Sequence, residues 1–243
     1  MSEHDPSAGL ESLVARLAAE HPDAEAAATT PPPPSGADAL VHELVYAMLL
    51  WDASAALARA ALARLQEGFA DYNELRVAFP DETAALMPDD MPARGERAER
   101  LRAALNHVFR RESGLTLARL ADGGKREARA ALASLEGVPP FAAARVILFA
   151  LGGHAVPADA RIVRLLAEHG VLEPGTEPAD AAGKLERLVK AQDAKRVYAL
   201  LEAAASAAGP EPAASKPARK PAAKSSRSRT AATKKTGRSR KTA

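Results

Sequence analysis

The chain has 243 residues, 47% of them hydrophobic and 4% aromatic, with a formal net charge of +2, a composition that allows one ordinary domain with extensions or two small domains. It contains no cysteine, which excludes disulfides, thiolate zinc sites, cysteine-held iron–sulfur clusters and a cysteine nucleophile. No apolar run approaches the roughly 18–20 residues of a membrane-spanning helix, so we expect a cytoplasmic protein without a membrane partner.

The first 36 residues are rich in Ala, Glu and Pro. One short helix is predicted there, because four apolar side chains fall on one helical face: Leu10, Leu13, Val14 and Leu17. The proline run at 31–34 is typical of a stiff polyproline linker. We therefore predict that residues 1–36 form a flexible extension that ends in a Pro-rich linker.

Residues 37–209 carry helical periodicity almost throughout. Three long amphipathic stripes come first, and shorter helical segments follow at about 125–134, 140–151, 159–169, 179–190 and 193–208. No convincing alternating strand interrupts them. The pattern predicts an all-α domain of roughly nine or ten helices. The arginines around the third stripe, including Arg97, Arg100, Arg110 and Arg111, are expected on a solvated helix face.

The last 34 residues contain eleven Lys and Arg against one acidic residue, Glu211, so that residues 210–243 carry +10 and residues 1–209 carry −8. With no large apolar residue, this tail is expected to be disordered. Its composition resembles the C-terminal tails of linker histones and favours sequence-independent binding to nucleic-acid phosphates. The candidate DNA-contacting residues are Lys216, Arg219, Lys220, Lys224, Arg227, Arg229, Lys234, Lys235, Arg238, Arg240 and Lys241.

The most specific pattern lies between residues 132 and 172. A turn of sequence Leu135-Glu136-Gly137-Val138-Pro139 separates two predicted helices, and Asp159, about twenty residues downstream, precedes another helix that contains Ile162 and Arg164. This pattern resembles the hairpin and the catalytic aspartate motif of the helix-hairpin-helix (HhH-GPD) DNA glycosylases, whose members include endonuclease III. Residues 42–50 also look like the first core helix of that family, and the resemblance extends over 38–208.

The resemblance implies a multi-helix endonuclease III-like domain and a role in base excision repair. It implies that Leu135, Gly137, Val138 and Pro139 form a DNA-binding hairpin, and that Asp159 is the catalytic carboxylate. Asp159 would activate water or stabilise the oxocarbenium-like charge of the sugar. The other interpretation of Asp159 is a simple helix N-cap, and the two interpretations are compatible.

Two departures from the family pattern bear on function. The position of the catalytic lysine in bifunctional members holds Phe141, which has no amine, so β-lyase chemistry is not expected. The hairpin contains Pro139 and Pro140, which lack backbone N–H groups, so it offers fewer phosphate donors than a glycine-rich hairpin. The iron–sulfur cysteines of many members are also missing.

Other residues give weaker indications. Trp51 follows the first core helix and could stack on a flipped base, although a tryptophan at such a junction more often serves simple packing. Glu43 and Asp52 lie in the region that lines the family's pocket, and each is expected at the surface. The six histidines lack metal-ligand spacing, so neither a metal site nor a cofactor is predicted.

Three functions remain open. The favoured one is a nucleoid-associated DNA-binding protein with a degenerate glycosylase-like domain and a basic tail. The second is an active monofunctional DNA glycosylase that uses Asp159. The third is a protein-interaction module that the tail tethers to DNA.

Overall fold

The computed structural model describes residues 6–209, and within them the chain forms thirteen α-helices and no β-strand. The all-α fold class predicted from the periodicity is confirmed. The helices are α1 (Pro6–Glu20), α2 (Ala24–Ala27), α3 (Ala39–Leu50), α4 (Ala55–Gly68), α5 (Tyr72–Val77), α6 (Pro80–Leu86), α7 (Arg94–Glu112), α8 (Arg119–Asp122), α9 (Lys125–Ala133), α10 (Pro140–Phe149), α11 (Ala160–Glu168), α12 (Pro178–Leu188) and α13 (Ala194–Ala207).

The helix count exceeds the predicted nine or ten because four helices are very short. Helices α2, α5, α6 and α8 have four to seven residues each, which is too few for helical periodicity to be recognised in the sequence. The five segments predicted after residue 120 are helices within two residues of the expected bounds. No helix among the described residues is long and apolar enough to cross a membrane.

Helix α3 is the centre of the domain. Eleven of its twelve residues are buried, as expected for a helix that is apolar on every side. Its N-terminus is capped by Asp38, which accepts hydrogen bonds from the N–H groups of Leu40 and Val41. Around α3 pack α4, α7 and α10, and Trp51 directly follows the last residue of α3 as its C-cap.

From residue 6 onward the N-terminal extension packs onto this domain, which corrects the prediction of a flexible segment for that part of 1–36. Leu10, Leu13 and Leu17 are buried, and both α1 and α2 pack against α13. The apolar face recognised in the sequence therefore has a partner. Between residues 6 and 36 the extension belongs to the same compact unit as the helical domain.

The proline run is also held in place by side chains of the domain. Nε2 of the buried His42 donates to the carbonyl oxygen of Pro31 at 2.7 Å, and its Nδ1 lies in hydrogen-bond contact with the Tyr72 hydroxyl. Burial lowers the pKa of His42, which favours the neutral ring that this pair of bonds requires. The run thus connects two packed parts of one domain.

Replacement of Leu13 by Ala tests this packing. Leu13 is 3% exposed, so Leu13→Ala should lower the free energy of unfolding by about 2 to 4 kcal/mol, measured by urea denaturation. The matched control is Ser12→Ala, an exposed neighbour that should change it by less than about 0.5 kcal/mol. Equal small effects would mean that α1 is not part of the folded core.

Candidate functional site

The hairpin predicted at 135–139 lies between α9 and α10. Gly137 adopts a φ of +77°, a conformation that favours glycine. A Cβ atom at this position would lie 2.7 Å from the carbonyl oxygen of Arg100 in α7. Gly137 therefore serves both the turn and the close approach of the hairpin to α7.

Several hairpin N–H groups are already used inside the protein. The N–H of Glu136 donates to Nδ1 of His107 at 3.0 Å, and the N–H of Val138 donates to the carbonyl of Leu135 at 3.4 Å. Pro139 is the N-cap of α10 and Pro140 its first residue, and neither has an N–H. Residues 136 and 138–140 of the hairpin thus present no unused backbone N–H group.

The neighbouring side chains are basic and come from α7. Nη1 of Arg100 donates to the carbonyl of Gly137 at 3.4 Å. Arg110 pairs with Glu136 at 3.1 Å, and Nη1 of Arg111 reaches Oγ of Ser134 at 3.3 Å. The expected basic face of α7 therefore borders the hairpin along much of its length.

Arg97 departs from that expectation. It is 2% exposed and donates hydrogen bonds to the carbonyl oxygens of Met48, Trp51 and Pro92. Burial lowers its pKa to about 10, so it remains charged at neutral pH. The sequence analysis placed Arg97 on a solvated face because its spacing matches that of the exposed arginines nearby. Its hydrogen bonds instead connect the end of α3 to the start of α7.

Trp51 is half-buried at the end of α3. The guanidinium carbon of Arg100 lies 5.0 Å from the centre of the Trp51 ring, and that of Arg97 lies 5.7 Å from it, both within cation–π range. Arg100 also contacts Gly137. The structure therefore brings Trp51, α7 and the hairpin together on one surface, which we call the hairpin surface.

Asp159 caps the N-terminus of α11 and is fully buried. Its Oδ1 accepts from the N–H of Ile162 at 3.0 Å. Its Oδ2 accepts from Nη2 and Nε of Arg161 at 2.8 and 3.0 Å, and from the N–H of Asp52 at 3.1 Å. Both oxygens are therefore engaged within the protein.

Arg161 links this carboxylate to α13. Its Nη2 lies 2.9 Å from Oε2 of Glu202, which is 3% exposed. The Ser206 hydroxyl donates to Oε1 of Glu202 at 2.9 Å and accepts from the N–H of Ala55 at 3.2 Å. The start of α11, the end of α13 and the start of α4 are thus held by one buried cluster.

Asp52 completes the cluster from the turn after α3. Its Oδ1 accepts from the N–H of Ala160 at 3.0 Å, while its own N–H donates to Asp159. Burial, together with the nearby negative charge of Asp159, raises the pKa of Asp52 from 3.8 to about 6. The sequence placed Asp52 at the surface because its partners lie more than one hundred residues away.

Phe141, which the sequence pattern aligned with the lysine of bifunctional glycosylases, is buried. Its ring centre lies 6.3 Å from that of Tyr198 on α13. Burial raises the pKa of Tyr198 well above its ordinary value, so this hydroxyl stays protonated. Tyr198 and Glu202 are one turn apart, so α13 covers Phe141 with one residue and pairs with Arg161 through the other.

A second buried ion pair joins α3 and α10. Nε of Arg145 lies 3.0 Å from Oε1 of Glu43, although that residue was expected at the surface. Arg145 also donates to the carbonyl of Ala28 at 2.8 Å and to the Tyr198 hydroxyl at 3.2 Å. Burial raises the pKa of Glu43, and the guanidinium opposes that shift. The only indication of these buried ion pairs in the sequence is the presence of charged residues within strongly apolar helices.

No group of His, Asp or Glu side chains within residues 6–209 could hold a metal ion. The eleven basic candidates of the tail and the predicted domain at 210–243 lie outside the described residues.

Solved structures share this arrangement of helices. A trapped covalent intermediate of endonuclease III with DNA matches with a TM-score of 0.62 at 14% identity, over 81% of this chain and 84% of that one. A thermostable thymine-DNA glycosylase matches with a TM-score of 0.57 at 17% identity, over 82% and 85%. The Clostridium acetobutylicum 8-oxoguanine glycosylase/lyase, solved with DNA, matches with a TM-score of 0.55 at 13% identity, over 80% and 69%.

At these identities the likeness concerns the fold. The chain has the all-α fold of the endonuclease III-like DNA glycosylases, and the fold predicted from residues 38–208 is confirmed. No protein-family model matches the sequence, and no curated protein matches it.

Replacement of Asp52 by Asn tests the electrostatics of the cluster. Between about pH 4 and 6 the folded chain keeps a proton that the unfolded chain releases, so the ionised carboxylate destabilises the fold above this window. The free energy of unfolding of Asp52→Asn minus that of the native chain should therefore be about 1 to 2 kcal/mol larger at pH 7.5 than at pH 4. Asn tolerates the φ of +51° at this position.

The measurement is urea denaturation at pH 4, 5, 6 and 7.5. Asp90→Asn, at an exposed position, serves as the control and should leave the pH profile parallel to that of the native chain. A parallel profile for Asp52→Asn would contradict the shifted pKa.

Proposed function

We propose that this chain is a DNA-binding protein that uses a glycosylase-type fold without excising bases. The observation that carries the proposal is the complete burial of Asp159 with both carboxylate oxygens occupied. A glycosylase carboxylate must face the sugar or a water molecule beside it. Asp159 faces Arg161 and two backbone N–H groups instead.

Arg161 also neutralises the negative charge that Asp159 would need for catalysis. Catalysis by this carboxylate depends on its negative charge stabilising the positive sugar in the transition state. The Arg161 guanidinium at 2.8 Å opposes that effect. Releasing Asp159 would leave the Nε side of the buried Arg161 guanidinium and the N–H groups of Asp52 and Ile162 without their acceptor, which is unfavourable.

Lyase chemistry has no nucleophile at the family position. Phe141 is buried against Tyr198, and Arg145, the cation on the same helix, is fully buried beside Glu43. A guanidinium stays protonated and cannot attack the sugar carbon. A β-lyase reaction is therefore not part of the proposal.

DNA is the proposed partner of the hairpin surface and of the tail. Arg100, Arg110 and Arg111 border the hairpin, where they can neutralise phosphates without reading sequence. The partly exposed Trp51 offers a ring for stacking beside them. The eleven Lys and Arg between residues 216 and 241 would add a larger non-specific electrostatic contribution, and nucleoid association follows from this binding.

An excision assay tests the loss of chemistry. The purified full chain should leave a panel of duplexes with uracil, 8-oxoguanine, alkylated adenine and A·G mismatches uncut after alkaline treatment. Asp159→Asn should behave identically in this assay, while urea denaturation shows a less stable fold because Arg161 loses one of its two carboxylate partners. Excision that Asp159→Asn abolishes without loss of DNA binding would overturn the proposal and establish the monofunctional glycosylase.

Deletion of residues 212–243 tests the tail, since the described residues 6–209 belong to one compact unit. Each phosphate contact contributes about −0.9 to the slope of log K against log salt. Removing eleven cations should therefore flatten the slope and lower duplex affinity at least tenfold at 100 mM salt, measured by fluorescence anisotropy. Unchanged affinity would assign the binding to the helical domain alone.

The matched control for the deletion keeps the length of the chain. Replacement of the eleven Lys and Arg by Gln should reproduce the loss, whereas their exchange between Lys and Arg should leave the slope unchanged, because phosphate neutralisation depends on charge.

A further inference from the structure

A groove lies between α1, α12 and the loop that joins α11 to α12. Its wide end has a volume of about 600 Å³ and is lined by Val171, Leu172 and Leu188 among others. A second depression of about 220 Å³ continues from it past Leu188 to Leu10 and Val14 of α1. We call the two together the α1–α12 groove, and neither lies at the hairpin surface or at the Asp159 cluster.

Four cations border the apolar floor of the groove: Lys184, Arg187, Lys190 and Arg196. Within residues 6–209 none of them takes part in an ion pair or a side-chain hydrogen bond, although most arginines of the described domain do. At the wide end the lining contains two cations, Lys184 and Arg187, and one carboxylate, Glu173. At the narrow end the charges of Lys190 and Arg196 are balanced by those of Glu11 and Asp193. The groove is therefore positive at its wide end.

This charge is opposite to that of the surrounding domain, since residues 1–209 carry a net −8. Unpaired cations beside an apolar floor favour a ligand that combines acidic and apolar groups. A helix that binds in a groove inserts apolar side chains that are spaced along one of its faces. Two depressions that share one wall residue can receive such side chains. Leu188 is the shared residue here.

We propose that the α1–α12 groove docks an acidic amphipathic helix of a partner protein, with its acidic residues over Lys184 and Arg187. Apolar side chains spaced by three and four residues enter the two depressions. This proposal does not depend on DNA binding, and it gives the domain a second ligand while the hairpin surface and the tail engage DNA.

Two synthetic 16-residue helical peptides test the proposal, both with Leu at positions 3, 7, 10 and 14. One carries Glu at the exposed positions of its first two turns, and the other carries Lys there. Titrated into the ¹⁵N-labelled full chain, the Glu peptide should shift amide resonances of residues 170–173 and 184–190. It should also bind at least tenfold more tightly than the Lys peptide.

The variant Lys184→Gln/Arg187→Gln should lose at least fivefold in affinity for the Glu peptide. The control is Arg64→Gln/Arg126→Gln, which removes the same charge from exposed residues outside the groove. Equal binding of the two peptides, shifts elsewhere in the domain, or equal losses in the two variants would each overturn the proposal.

Deletion of residues 2–5 distinguishes a competing occupant. These residues precede Pro6, which lines the wide end, and include Glu3 and Asp5. If the Glu peptide binds only after this deletion, the groove is occupied by the chain's own N-terminus and the proposal fails. Unchanged binding after the deletion supports an external partner.

Discussion

The structure depends on one buried guanidinium. Arg161 holds the carboxylates of Asp159 and Glu202 at 2.8 and 2.9 Å, and through them it joins the start of α11 to α13. A buried charge is tolerated only when it is paired and hydrogen-bonded, and here the backbone N–H groups of Asp52 and Ile162 complete the set. Each member is therefore required by the others.

This constraint decides what Asp159 can do. The same carboxylate cannot both neutralise Arg161 in the interior and present a free negative charge to a sugar. Phe141 against Tyr198 fills the neighbouring position in the same way, with α13 as the common cover. The fold of a DNA glycosylase is thus compatible with an interior in which Asp159 and Phe141 have structural partners.

The hairpin surface and the α1–α12 groove differ in composition from the buried cluster around Asp159. The hairpin surface combines a partly exposed indole with arginines of α7, and the α1–α12 groove combines an apolar floor with unpaired cations. Both stand out from a domain whose net charge is negative. Both are the surfaces to which the proposed ligands of this domain are assigned.

The sequence by itself determined the helical class, the hairpin at 135–139, the absence of a lysine at position 141 and the position of Asp159 at a helix start, because periodicity, glycine and capping residues act over a few neighbours. It also indicated the apolar face of α1, but not its partner. Only the tertiary structure decided that residues 6–36 belong to the domain and that Asp159 is enclosed. The reason is that Asp52, which binds Asp159 directly, and Glu202, which is joined to it through Arg161, lie 107 and 43 residues away along the chain. Burial and ion pairing between such distant residues depend on how the helices pack, and this packing cannot be predicted from local patterns of residues.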